Sequence, residues 1–131
     1  MKKIDPKDGK YQLGGSKDAE LEGIDKKYSV FIDDDKLADA ERDYPASEGY
    51  TWFVSFTIQE NGNDISELRE YRIKFDKPEN ADTKLYYYLK DSGNSKGTLY
   101  EIPFEDTANK GNKKRVKAYL KIGDPPMGTV P

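Results

Sequence analysis

Nine consecutive residues, Tyr50 to Ile58, constrain this chain more than any other stretch; they read Tyr-Thr-Trp-Phe-Val-Ser-Phe-Thr-Ile. Apart from Ser55, all are aromatic or β-branched. Such side chains lose freedom in a helix and pack well on a pleated surface. Tyr50, Trp52, Val54, Phe56 and Ile58 fall on one face, and Thr51, Phe53, Ser55 and Thr57 on the other. One apolar face backed by a mixed one predicts a strand in the middle of a sheet, with Trp52 as an anchor between two sheets. Asn61-Gly62 then supplies a turn that needs positive φ.

The same period of two recurs along the chain. Tyr28, Val30 and Ile32 alternate with Ser29 and Phe31, and Tyr71, Ile73 and Phe75 with Arg72 and Lys74. Leu85, Tyr87 and Leu89 alternate with Tyr86 and Tyr88, Tyr100, Ile102 and Phe104 with Glu101 and Pro103, and Val116 to Ile122 with Lys117, Tyr119 and Lys121. Because proline donates no ladder hydrogen bond, the strand with Pro103 belongs at an edge or carries a bulge. Asp33 to Lys36 reads as a turn, and Leu37 to Asp43 as a short helical turn or an irregular link; Ile65 to Glu70 reads as a further short helical turn. Six strands separated by turn signals at intervals of about 8–15 residues predict an all-β, antiparallel sandwich. Its expected core includes Trp52, Phe56, Ile73, Leu85, Ile102 and Leu120.

The domain reading follows. Residues 1–20 form a polar N-terminal segment in which Tyr11-Gln12-Leu13 can pair as a short edge strand; 21–123 form the sandwich; 124–131 form a Pro-rich tail or linker. Charged residues make up 36% of the chain and hydrophobic ones 34%, a balance that borders on disorder. Ten Tyr, five Phe and one Trp argue for a real core, because each buried aromatic removes a large area from water.

The chain has no Cys and no His. That removes disulfides, thiol nucleophiles, imidazole bases and the usual zinc ligands. Carboxylates are plentiful, but nothing singles out a pair held at catalytic separation in a cleft. The residues therefore point to a non-catalytic module, with no catalytic residue, metal ligand or cofactor to name. A net charge of −3 offers no global field for nucleic acid. No apolar run is long enough to cross a bilayer, so no membrane insertion is expected. Met1 to Pro6 lacks the apolar segment of a signal peptide. Either the chain is cytoplasmic or it is a module of a longer chain.

Charge is uneven: −6 over residues 1–65 and +3 over 66–131. If the halves segregate in space, the acidic Asp33–Asp43 region of one molecule can meet the basic Lys110–Lys117 region of another. If the strands of both halves interleave, the asymmetry disappears and a monomer is expected. Lys110, Lys113, Lys114, Arg115 and Lys117 can touch an anionic partner or simply solubilise a loop. Asp33, Asp34, Asp35, Asp39 and Asp43 can supply oxygens to Ca²⁺, although Leu37 falls where an EF-hand needs a ligand.

The candidate ligand-binding residues are Tyr86, Tyr88, Tyr119, Lys117 and Lys121. With Leu85, Tyr87 and Leu89 directed at the core, Tyr86 and Tyr88 face outward. The same argument puts Tyr119 outside, between Lys117 and Lys121. Outward aromatics make a flat platform for a sugar ring or a protein partner. Cross-strand Tyr–Lys cover is the plainer alternative.

Val30 to Leu37, then Asp43-Tyr44, Ser47 to Thr51 and Ile65 to Phe75, resemble the immunoglobulin-like X-modules of bacterial cellulases, scaffoldins and cell-surface proteins. That family shows a strand, a V-D-G-K-x-L turn, a D-Y-T step, a G-S-T strand start, and a short helical turn leading into G-x-x-x-I-x-F. The resemblance covers residues 24–90. Asp34 stands where the family has Gly, Tyr44 is followed by Pro45, and the residues from Asp91 onward extend beyond the usual module. The resemblance implies an immunoglobulin-like fold and a non-catalytic extracellular or cell-surface role in protein or carbohydrate binding, or as a spacer. A phage or virion structural β-domain, in tail or baseplate, is the alternative.

Overall fold

The alternating segments pair into two antiparallel sheets that face each other. The computed structural model describes residues 1–64, 71–76, 83–90, 96–106, 115–120 and 126–130. In chain order its first elements are β1 (Lys2–Ile4), β2 (Lys10–Gly14), β3 (Ala19–Glu22), β4 (Tyr28–Ile32) and helix α1 (Asp34–Asp43). A single 3-10 turn (Ala46–Glu48) leads into β5 (Thr51–Glu60), β6 (Asn63–Asp64), β7 (Tyr71–Asp76) and β8 (Lys84–Leu89). The chain continues through β9 (Thr98–Ile102), β10 (Phe104–Asp106), β11 (Arg115–Leu120) and β12 (Pro126–Val130). Sheet one runs β1-β4-β5-β12-β8-β9, with β6 closing a hairpin on β5; sheet two runs β10-β11-β7-β3-β2. The turn expected at 65–70 lies outside the described residues.

The period-two pattern explains the interior. Val30, Phe56, Ile58, Leu85 and Ile102 from sheet one meet Leu21, Ile73, Phe75, Val116 and Leu120 from sheet two, all at most 3% exposed. The Phe53 and Phe75 rings bridge the sheets at 5.3 Å. Full burial of one such side chain is worth about 1.5–3 kcal/mol over leaving it in water. Asn61 and Gly62 take φ of 53° and 82°, the paired positive values that a tight two-residue hairpin demands. Tyr11-Gln12-Leu13 lie within β2, an edge strand as the sequence suggested.

Pro103 divides two strands that the sequence reading joined. The residues before it, β9, end sheet one; those after it, β10, begin sheet two. The proline thus sits at a corner where the chain changes sheets and both neighbours are edges, so its missing N–H breaks no ladder.

Three expectations are corrected. First, Trp52 does not sit between the sheets. Where β12 pairs with β5, Met127 opposes Val54 and the next residue, Gly128, opposes Trp52, so Phe53 has no partner of its own. This bulge shifts the alternation by one. Phe53 and Val54 both enter the interior, while Trp52 joins Ala40 and Tyr88 in a second buried cluster on the outer face of sheet one.

Second, residues 34–43 form ten continuous residues of helix, where the sequence reading had a turn to Lys36 followed by a short helical turn or an irregular link. Asp33 caps the helix by accepting from the Lys36 N–H at 3.3 Å, and Asp34 and Asp35 lie in the first turn, where negative charge suits the helix dipole. Third, Pro126–Val130 are not a tail. They form β12, bonded to β5 on one side and β8 on the other. Pro126 takes the first position, where pairing is with β5 only, and Met127 and Thr129 are 0% and 1% exposed.

Candidate functional site

The structure does not bring the proposed aromatic platform together. Tyr86 and Tyr88 lie on β8 in sheet one, and Tyr119 lies on β11 in sheet two. Tyr88 does point away from the sandwich interior, yet it is 2% exposed, because α1 covers the outer face it points to. Tyr86 is half-buried and packs edge-on against Tyr50. Tyr119 is 44% exposed, with the Lys117 ammonium 5.4 Å from its ring centre. Lys117 also pairs with Glu105 at 3.3 Å; hydrogen bonds from its ammonium to Tyr119 and then to Glu105 raise its pKa. Lys117 and Tyr119 lie two residues apart on β11, so this is Tyr–Lys cover along one strand rather than the cross-strand cover that the sequence offered as the plainer alternative. Lys121, Lys110, Lys113 and Lys114 lie outside the described residues.

The acidic segment is committed to holding α1 in place. Asp33 caps the helix, and Asp39 pairs with Arg42 at 2.9 Å. Asp43, with a side chain 7% exposed, accepts from the Tyr88 hydroxyl at 2.5 Å and from the Gly97 N–H at 3.0 Å. Among the described residues no three acidic side chains converge on one cation position. Around Asp43 the contacts interlock. The Tyr44 hydroxyl donates to the Gly97 carbonyl at 2.9 Å, and the Trp52 indole N–H to the Tyr44 carbonyl at 2.8 Å. Tyr44, Tyr50, Trp52 and Tyr88 stack edge-on or face-on at 5.3–6.4 Å.

Two glycines admit those rings. A methyl group on Gly97 would lie 2.1 Å from the Tyr88 ring, and one on Gly128 2.6 Å from the Trp52 ring. Burial opposes ionisation of Asp43, but its bonds from Tyr88 and Gly97, with Lys90 and Arg42 nearby, hold the carboxyl below its usual pKa. Burial, reinforced by Asp43, drives the Tyr88 hydroxyl far above the ordinary tyrosine value. An acid kept charged and a phenol kept neutral make a stable clasp rather than a proton-transfer pair.

A different place is open to solvent. Where β1 ends sheet one and β2 ends sheet two, a groove of about 400 Å³ runs between them and β4. Ile4, Pro6, Ile24 and Tyr28 give it apolar walls, and Lys3, Asp5 and Lys26 add charges of both signs. Tyr11 also lines it. That residue is 6% exposed, yet its hydroxyl makes no hydrogen bond within the described protein. Burial, and then the negative charge of Asp5, raise its pKa, so it stands neutral as a hydrogen-bonding group.

No family model, curated protein or solved structure matches this chain.

The groove residues were missed in the sequence because they are dispersed. Asp5 and Tyr11 sit in a segment read as polar, and Tyr28 in a strand read as core; only the meeting of two sheet edges joins them. One signal was present: Tyr11 and Leu13 alternate with Gln12 in a segment otherwise poor in aromatics.

Proposed function

We propose that this chain is a non-catalytic binding module whose ligand seat is the groove between β1, β2 and β4. One observation carries the reading: Tyr11 is nine-tenths buried beside a solvent-open groove, and its hydroxyl has no partner among the described residues. The oxygen is not among the buried unpartnered atoms of the described residues, so it opens to water at the groove, where a ligand can bond to it against partly apolar walls. The groove volume falls within the range of about 300–1,000 Å³ common to small-ligand sites. The Asp43–Tyr88 pair supports the non-catalytic side of the reading, since both groups are engaged in fixing α1. A place at the cell surface of a bacterium, as part of a longer chain akin to the immunoglobulin-like X-modules, belongs to the same proposal and rests on the resemblance of residues 24–90.

Amide chemical-shift mapping tests it, with panels of short peptides and oligosaccharides as probes. At least one probe should move the resonances of residues 3–11 and 24–29. Trp fluorescence is the wrong reporter, because Trp52 is buried under α1. A chain untouched by every probe, but able to raise the melting temperature of a fused neighbour, is a spacer and refutes the binding reading.

A further inference from the structure

We propose that the groove between β1, β2 and β4 takes an uncharged, polyhydroxylated ring, a neutral sugar unit, hydrogen-bonded to the Tyr11 hydroxyl. This inference rests on the binding-module reading and specifies its ligand class. The chemistry of the lining decides it. A pyranose ring is amphipathic: its C–H faces seek apolar contact, and each hydroxyl can both donate and accept. Ile4, Ile24, Pro6 and Tyr28 provide the apolar contact. Asp5 can only accept, while Lys3 and Lys26 can only donate. Tyr11 can do either, and being neutral it imposes no charge on its partner.

Charged ligands fit less well. An anionic group can reach Lys3 or Lys26, but bonded to Tyr11 it would lie beside Asp5, whose field already acts on that hydroxyl. A cationic group would meet Lys3 and Lys26 on the walls. A neutral ring with alternating hydroxyls uses both signs of charge as hydrogen-bond partners and opposes neither. The groove also lies at the open side of the sandwich, between two edge strands, so a longer saccharide can extend past it.

The experiment titrates the labelled chain with neutral tetrasaccharides of glucose, mannose, galactose or xylose, and separately with tetragalacturonate and an acidic peptide. A neutral tetrasaccharide should shift the amides of residues 3–11 and 24–29. Tyr11→Phe removes one oxygen that bonds to nothing in the described protein, so its melting temperature should equal that of the parent. Its affinity for the sugar should fall about fivefold, the scale of one neutral hydrogen bond. Asp5→Asn keeps the shape and should weaken binding to a similar degree. Unchanged affinity in Tyr11→Phe overturns the proposal, as does a neutral sugar whose shifts fall elsewhere on the chain. Groove shifts with tetragalacturonate or peptide alone overturn the neutral-sugar class and leave the binding module standing. Silence from every probe overturns both.

Discussion

At the scale of single residues, charge and ring packing settle what the acidic segment does. Asp43 receives a phenolic O–H and a backbone N–H while largely hidden from water. Its folded pKa lies below that of a free carboxyl, so the ionised form is the one that folding favours. The stability it contributes is complete above the unfolded value, near pH 4, and is lost as pH falls through the lower folded value. Asp43→Asn should therefore lower stability at neutral pH by about 1–3 kcal/mol, the cost of weakening charge-assisted bonds to buried donors. The gap between parent and variant should close as pH drops below about 4. Urea unfolding followed at neutral and acid pH reads both values, and a gap independent of pH would refute the clasp. Trp52, Asp43 and Tyr88 were each visible in the sequence as chemically notable. Their convergence was not, because it depends on Gly97 and Gly128 lying close beneath two rings.

Among the elements, β12 has the largest structural consequence for its size. It lies between β5 and β8, so among the described residues half of sheet one is bonded to the other half only through these five residues. Its bulged pairing also directs Trp52 toward α1. Removal of residues 126–131 leaves two central strands with open ladders and exposes Val54, Leu85 and Trp52. The two halves of sheet one lose the ladder that joins them, and apolar side chains newly exposed to water cost about 1.5–3 kcal/mol each, a sum comparable with the 5–15 kcal/mol that roughly spans a typical domain's stability. The shortened chain should lose cooperative thermal unfolding and amide dispersion; a folded spectrum would contradict the topology. The sequence concealed β12 because Asp124-Pro125-Pro126 reads as a terminator and Gly128 interrupts the apolar pattern. By contrast, β4, β5, β7, β8 and β11 were legible, since one face of each must be apolar to bury.

For the molecule as a whole, the uneven charge along the chain is largely dispersed by topology. Sheet one takes β1, β4 and β5 from the acidic half and β8, β9 and β12 from the basic half; sheet two likewise mixes β2 and β3 with β7, β10 and β11. On the outer face of sheet two, Lys74 and Arg72 meet Glu22 at 3.3 and 3.7 Å, and Lys117 meets Glu105. Such exposed pairs add little stability, about 0–1 kcal/mol each, but they neutralise the field that a second copy would feel. Sedimentation should give a monomer at both low and high salt. A dimer that dissociates with salt would mean that the acidic helix face finds a basic face on another molecule; one that resists salt would require a buried apolar interface.

The sequence by itself determined the fold class and most of the interior, because an alternating chain has one economical way to hide its apolar faces: a second sheet laid over the first. It determined the hairpin at Asn61-Gly62 and the edge character of the strand at Pro103 for equally local reasons of φ and of a missing N–H. Only the tertiary structure decided where Trp52 points, that Tyr88 is covered, that the last residues complete a sheet, and that Tyr11 and Asp5 meet Tyr28 across a groove. Each of these depends on contacts between segments far apart in the chain. A one-residue bulge, a helix docked on an outer face and two edges brought side by side leave almost no trace in local periodicity.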